Sequence, residues 1–395
     1  MIAAPRSGMA APQTTIRFRG GAARVIRGPE LSTIPEWQRA FDHVAKDHRF
    51  YEIIEQTLDD EFEHRYLVFE DETGTVRGIQ PVFFVQQNLV AGAPALASIV
   101  ERVRRHFPRF LTMRVLMVGC AAGEGHLGVS DAADAEWLTI ALLATLETYA
   151  RRSRASLVVL KEFRLCYRET LERFTENGYA RIASMPLTTL ALRYRDFDDY
   201  LNTLSKATRK DLRRKFRRIE KAAPIELEVL TDVTAIVHEV YPLYLQVHER
   251  SALQFERLTK DYFCALGERM GDRVRFFVWR QDGKIIAFSL ALVHNGTFYD
   301  DYLGLDYRVA LDLHLYFQTF RDIISWAIAQ GLEGYCSSPL NYEPKLHLGC
   351  DLLPLDLYVM HTAKLLNPIM QRILTLAGPT RHDPVLSRFR NAQEL

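Results

Sequence analysis

Cysteine is scarce and scattered in this chain. Its five cysteines, Cys120, Cys166, Cys264, Cys336 and Cys350, are odd in number, far apart and without a Cys-x-x-Cys pair. That argues against a disulfide framework and a structural zinc, and it fits reduced thiols in a cytoplasm. Long apolar runs are missing too. Stretches such as 285–293 fall well short of the roughly 20 residues that a membrane-spanning helix needs, so no membrane span is expected. Neither sign of charge dominates: 50 Lys and Arg stand against 49 Asp and Glu, a net charge of +1, and the protein as a whole does not advertise a polyanionic partner. Metal-ligand spacings are thin. His48 with Glu52 and Glu343 with His347 are each four apart, but neither pair has a third ligand at a recognisable spacing, so no metal is expected. Residues 1–28 hold Gly, Ala, Pro and several Arg without an apolar stretch, which reads as a loose leader and not a signal peptide.

What is present is a globular composition, 48% apolar and 25% charged, over 395 residues. That length exceeds one ordinary core and implies two domains. The stretch 299–331 organises the second half. Residues 298–303 are short and aromatic, as a half-buried strand requires. A loop over 304–310 follows, then about twenty residues in which Leu311, Leu315, Phe317, Ile323, Ile324 and Ala327 can share a buried side, with Gly331 as the stop. A helix N-terminus opening from a strand leaves backbone N–H groups free for an anion.

The first half follows the same plan. A turn at 71–74 joins two strands, a strand at 113–118 leads through a glycine-rich loop (119–128) into a helix over 131–152, and a strand at 157–160 precedes a helix over 165–176. The glycine loop matches neither a Walker sequence nor Gly-x-Gly-x-x-Gly, and a tight connection explains it better than an anion cradle. In the second half a long helix over 197–222 precedes a hairpin turning at Asp282-Gly283, a second turn at Asn295-Gly296 and the central strand. An insertion over 86–111 together with a longer loop accounts for the greater length of the first copy. The fold class expected is α/β with mixed (α+β) sheets, as two domains of one type, 29–185 and 186–366, with 367–395 as a tail.

These features resemble the GNAT acyltransferase fold. The run Leu204-Ser-Lys-Ala-Thr-Arg-Lys-Asp-Leu-Arg-Arg-Lys-Phe-Arg-Arg-Ile219 resembles the helix that opens the second domain of Fem-type tandem-GNAT proteins. Residues 299–331 with Lys345-Leu-His-Leu-Gly349 resemble the core of that domain. The resemblance implies transfer of an acyl or aminoacyl unit onto an amine of a small molecule or amino acid. The donor it implies is acyl-CoA or, in the tRNA-dependent version, aminoacyl-tRNA. The Gln/Arg-x-x-Gly-x-Gly/Ala run of CoA-dependent members is absent, since 303–311 holds only Gly304. A non-catalytic binding module on the same fold is the alternative from another class.

Direct transfer to an amine needs a base, a donor that polarises the carbonyl and an acid for the leaving group. His314 is the first candidate base, because an imidazole needs little tuning near neutral pH. Asp301 comes second. Asp300 and Asp301 alternate faces of the strand, so one of them can enter the cleft. Tyr302 and Tyr342 are the candidate acids. Tyr299, Lys345 and His248 are candidates to hold the amine. Backbone groups at Arg308, Val309, Ala310 and Leu311 would receive donor phosphates, helped by Arg209 and Arg213. Those two belong to a helix, 206–221, with nine Lys and Arg against two acids, a local charge of +7 that leaves the rest of the chain at −6. Its outer face is either merely solvated or a wall for phosphates.

Overall fold

The computed structural model describes residues 14–88, 112–251, 254–374 and 379–395. The expected insertion at 86–111 falls outside them except for its first residues, 86–88.

Thr14–Phe18 (β1) and Gly21–Ile26 (β2) form an antiparallel hairpin. The turn needs glycine at Gly20, where φ is 100°, and Ile16, Ala23 and Ile26 point inward. The part of the expected loose leader from Thr14 onward is therefore sheet. Residues 36–48 do not form one continuous helix. Asp47 accepts from Arg49 N at 3.0 Å and so caps a new helix, His48–Thr57 (α1), after a short turn of helix at Pro35–Arg39. Strands Glu63–Asp71 (β3) and Val76–Asn88 (β4) meet at a turn where Asp71 accepts from the amides of Thr73 and Thr75. Thr112–Val118 (β5), the helix Ala135–Arg152 (α2), Leu157–Arg164 (β6), a short helix Glu172–Glu176 (α3) and Ala180–Ala183 (β7) follow.

Leu187–Ala191 (β8) leads to Phe197–Thr203 (α4) and Lys206–Ile219 (α5). The sequence suggested one helix here. The backbone breaks at Leu204, where Ser205 accepts from Thr208 N at 3.1 Å and starts α5 afresh. Ile225–Leu230 (β9), Val237–His248 (α6) and Lys260–Met270 (α7) precede Val274–Gln281 (β10), Lys284–His294 (β11) and Thr297–Leu305 (β12). The chain then runs through Leu315–Ala329 (α8), Gly334–Ser337 (β13), Tyr342–His347 (α9), Asp351–Leu353 (β14), Leu355–His361 (β15) and Asn367–Leu374 (α10).

Two compact units result. One takes the described residues of Met1–Asp42, Asp60–Arg181 and Leu357–Leu374, and the other those of His43–Asp59, Ile182–Asp356 and Thr375–Leu395. The first carries an eight-stranded sheet in the order β1-β2-β3-β4-β5-β6-β15-β7, the second a seven-stranded sheet in the order β14-β8-β13-β12-β11-β10-β9. Both are mixed. In each, an antiparallel meander passes into one parallel pair, β5 with β6 and β12 with β13, joined by a helical crossover. The repeat expected from the sequence is visible in this shared order. In the first unit Leu138, Leu142 and Leu146 of α2 are buried with Leu116, Val158 and Phe163. In the second, Leu315, Ile323, Ile324 and Ala327 of α8 are buried with Phe277, Phe298 and Tyr335. Leu311, expected on that stripe, is 76% exposed, because α8 begins only at Leu315.

Candidate functional site

The parallel pair β12–β13 positions the site. Its register runs from Thr297↔Gly334 to Asp300↔Ser337 and stops there, with Ser338 N donating to Asp300 O at 3.1 Å. β12 continues to Leu305 without β13, so the two strands part at Asp300. A bulge falls at the same place. On β11, Leu290 pairs with Tyr302 and Ala291 with Asp300, which leaves Asp301 as the extra residue. Tyr299 and Tyr302 are three apart on β12, yet their partners Leu292 and Leu290 are two apart on β11. Both tyrosines therefore share one face, and the simple alternation expected for this strand is broken.

Asp300 turns to the face covered by α8 and is half-buried. Ser289 Oγ donates to its Oδ1 at 2.6 Å and Tyr335 OH to its Oδ2 at 2.8 Å. Burial pushes its carboxyl above the usual range, against the pull of those two hydroxyls and the charge of Lys345. Lys345 lies on α9 and is buried; its Nζ donates to Ser338 O. Burial lowers its pKa to about 8, while Cys350, Asp300 and Cys336 oppose that shift. Burial likewise raises the Cys350 thiol to about 12. A carboxyl and an amine, both displaced toward neutrality, thus flank the point where the strands separate. Groups displaced in this way are candidates for proton transfer.

The opposite face holds a second group. Asp301 Oδ2 sits 3.0 Å from Lys46 Nζ, which itself lies over the Phe50 ring at 5.3 Å. Tyr302 OH donates to Glu256 Oε1 at 2.6 Å, and burial raises its phenol well above the ordinary value. His248 Nε2 lies 3.1 Å from Glu256 O, so His248 and Tyr302 converge on one residue. Tyr299 packs against Leu187, Cys336 and Leu355.

His314 stands elsewhere. It is the N-cap of α8 and not one turn inside it, with φ 44° and ψ 42°. Burial and the nearby charges of Lys215, Arg218 and Arg214 lower its pKa. Three of the four amides expected to cradle phosphate are engaged by their own chain. Arg308 N donates to Asp306 Oδ1 at 3.0 Å, and Val309 N and Ala310 N donate to Asp306 O at 3.1 and 2.8 Å. The Arg308 guanidinium also returns to Asp306. Tyr342 OH donates to Pro186 O at 2.8 Å inside a cluster with Leu352, Leu386 and Phe389.

Arg213 lines an open groove between α4, α5 and α8, together with Arg195, Lys206, Arg209, Lys210, Arg217 and Arg321. Three acids, Asp196, Asp198 and Glu220, share the groove, which leaves it strongly basic. The buried side of α5 is Leu212, Phe216 and Ile219, as its apolar spacing requires.

Sequence reasoning missed Lys46, Glu256, Ser289 and Tyr335. Lys46 and Glu256 reach the site from distant segments without any local pattern. Ser289 did leave a signal, as the one hydroxyl inside the apolar run Lys284–His294.

The corresponding parting in the first unit is filled. β5 and β6 pair as far as Val118↔Leu160, and the glycine-rich loop then returns, with Gly125 N donating to Glu162 O at 3.0 Å. Lys161 Nζ donates to Gly123 O at 3.0 Å. A Cβ at Gly125 would overlap Lys161 O, and one at Gly128 would overlap Ile79 O. These glycines serve a close backbone approach.

Residues 36–337 match the FemAB-like family, described as peptidoglycan biosynthesis/recognition. No curated protein matches the sequence. Among solved structures, FemX is 11% identical, covers 84% of this chain and 96% of its own, and has a TM-score of 0.51. A tandem GNAT protein from the clavulanic acid biosynthesis pathway is 13% identical, covers 86% and 99%, and has a TM-score of 0.47. The C-terminal domain of a putative lysylphosphatidylglycerol synthetase from Agrobacterium fabrum is 14% identical, covers 78% and 87%, and has a TM-score of 0.46. At these identities the likeness is one of fold, and the FemX comparison carries it. The chain belongs to the FemAB-like family of peptidoglycan biosynthesis and recognition and shares the fold of FemX.

Proposed function

We propose that this FemAB-like transferase forms an amide bond by moving an aminoacyl group from tRNA to an amine, with the reaction centre where β12 and β13 part. The observation that carries the reading is the buried Lys345 with the half-buried Asp300 at that point, one amine and one carboxyl with displaced proton affinities. In the reaction the amine nitrogen attacks the ester carbonyl, the C–N bond forms, the C–O bond to ribose breaks, and the ribose oxygen takes a proton. The attacking ammonium must first lose one. A side chain with a pKa of about 8 can take or give a proton near neutral pH without further tuning. Tyr302, held by Glu256, suits hydrogen bonding to the carbonyl or leaving group from the other face. Lys345 and Asp300 fit the proton-transfer role better than His314, which lies beside the cations of α5.

The donor assignment rests on two observations. The amides of Arg308, Val309 and Ala310, three of the four expected to meet a CoA pyrophosphate, are taken by Asp306, which weighs against the acyl-CoA donor first expected from sequence. The basic groove of α4, α5 and α8 suits a long phosphate backbone. The test is transfer of a labelled amino acid from charged tRNA to a panel of amines, with calorimetric titration of acetyl-CoA and longer acyl-CoAs alongside. Transfer from acyl-CoA without any tRNA affinity would replace this reading by the CoA-dependent one. Binding without turnover would leave a recognition module.

A further inference from the structure

One surface helix in the first unit is turned inside out. Asn367 and Gln371 are four apart and share a face of α10. Both donate side-chain N–H groups to the carbonyl of Gly178, at 2.7 and 2.9 Å. Asn367 Oδ1 also accepts from His361 N at 2.9 Å, and His361 Nδ1 accepts from Ala363 N at 2.9 Å. The polar side of the helix is thus clamped to the protein. Away from that clamp large apolar side chains meet solvent: in the turn before the helix Leu365 is 88% exposed and Leu366 49%, and on α10 itself Ile369 is 57% exposed. Large exposed side chains grouped in this way call for a partner surface.

The charge nearby says which one. Lys364 and Arg372 are exposed at the two ends of this segment, and residues 357–374 contain no acid. Apolar side chains facing outward, rimmed by cations, match the interface of an anionic bilayer, where the apolar residues enter the acyl boundary and the cations meet lipid phosphates. No described helix is long and apolar enough to cross a membrane, so the contact would be peripheral. A second copy of the chain is a poorer occupant. A stable dimer needs about 800 Å² per partner, more than a helix of eight residues and its preceding turn present.

We propose that α10 and the turn before it dock the protein onto an anionic lipid surface. The test is co-sedimentation of the full chain with vesicles of phosphatidylcholine alone and of phosphatidylcholine with phosphatidylglycerol. The parent is expected to bind the anionic vesicles at least several-fold more than the neutral ones, and less as salt is raised. The double variant Leu365→Ser, Ile369→Ser should lose most of that binding with an unchanged melt, because both side chains already face water. Lys364→Gln should weaken the preference for anionic vesicles. No pelleting of the parent overturns the proposal, as does equal binding by the double variant. A concentration-dependent dimer abolished by the double variant would also overturn it, and would make a second copy the occupant.

Discussion

Tyr335 OH donates to Asp300 Oδ2 at 2.8 Å, diagonally across the parallel pair, from the register of Phe298 to the last residue of β12 that pairs with β13. With Ser289 on the other oxygen, both lone-pair faces of the carboxyl are occupied by hydroxyl donors. The carboxyl is thereby fixed in position while burial raises its proton affinity. Tyr335→Phe removes one donor without changing ring volume. It should reduce turnover by roughly tenfold or more and shift the acidic limb of the pH–rate profile, with a loss of about 1–3 kcal/mol in stability. A pH–rate profile identical to the parent's would make the Tyr335 bond purely structural.

Lys345 gives a prediction with a definite sign. Its folded pKa is about 8 against an ordinary 10.5, so between those values the unfolded chain binds more protons than the folded one. Its contribution to stability is full above pH 10.5 and is lost as pH falls to about 8, a change of about 3 kcal/mol. Lys345→Met should flatten that part of the stability curve, melt at or above the parent temperature at pH 7, and abolish an inflection near pH 8 in turnover. Melts from pH 7 to 10 and a rate profile over the same range decide it. A rate profile that keeps its inflection in Lys345→Met would end the proton-transfer role.

Asp301 and Lys46 form a mostly buried ion pair on the bulge. Removing one partner strands the other charge, so Asp301→Ala is expected to cost about 3 kcal/mol, and Lys46→Met in the same chain should restore much of it. A double-mutant cycle by denaturant unfolding measures the coupling. If the two losses simply add, the pair is not coupled.

The basic groove offers a surface test. Arg213→Gln with Arg217→Gln should weaken tRNA binding about tenfold at low salt and reduce the salt slope by about two, with the melt unchanged. Binding isotherms at several salt concentrations read both quantities, and equal affinity would reduce the groove to a solvated face.

Gly125→Ala and Gly128→Ala should each destabilise by about 1–3 kcal/mol or more, since each added methyl meets a backbone carbonyl. An unchanged melt would show that the loop can move aside.

Much of the second sheet was legible because its signals are local. Asp282-Gly283 and Asn295-Gly296 set two turns with positive φ on either side of β11, and the aromatic run around Tyr299 follows the second as β12. The bulge at Asp301 was not legible, because it depends on the register against β11 and not on β12 alone. The same holds for α8. A 3.6-residue pattern extends back to Leu311, but Asp306 captures the first amides and the helix starts four residues later. Of the site, Asp300, Tyr302 and Lys345 could be named from their position near the central strand. Lys46 and Glu256 could not, since only tertiary folding brings them there.

The place of β15 has a consequence for synthesis on the ribosome. The first sheet takes its seventh strand, Leu355–His361, from far along the chain, and β7 joins the sheet only through it. A nascent chain can assemble β1 to β6 early, yet β6 keeps an open edge until more than half of the protein has emerged. Any fragment ending before Leu355 is left with that unpaired edge, a template for misassociation. Expressing the first half alone should therefore give aggregating material, whereas a permuted chain that supplies residues 355–374 directly after β7 should close the sheet in one pass.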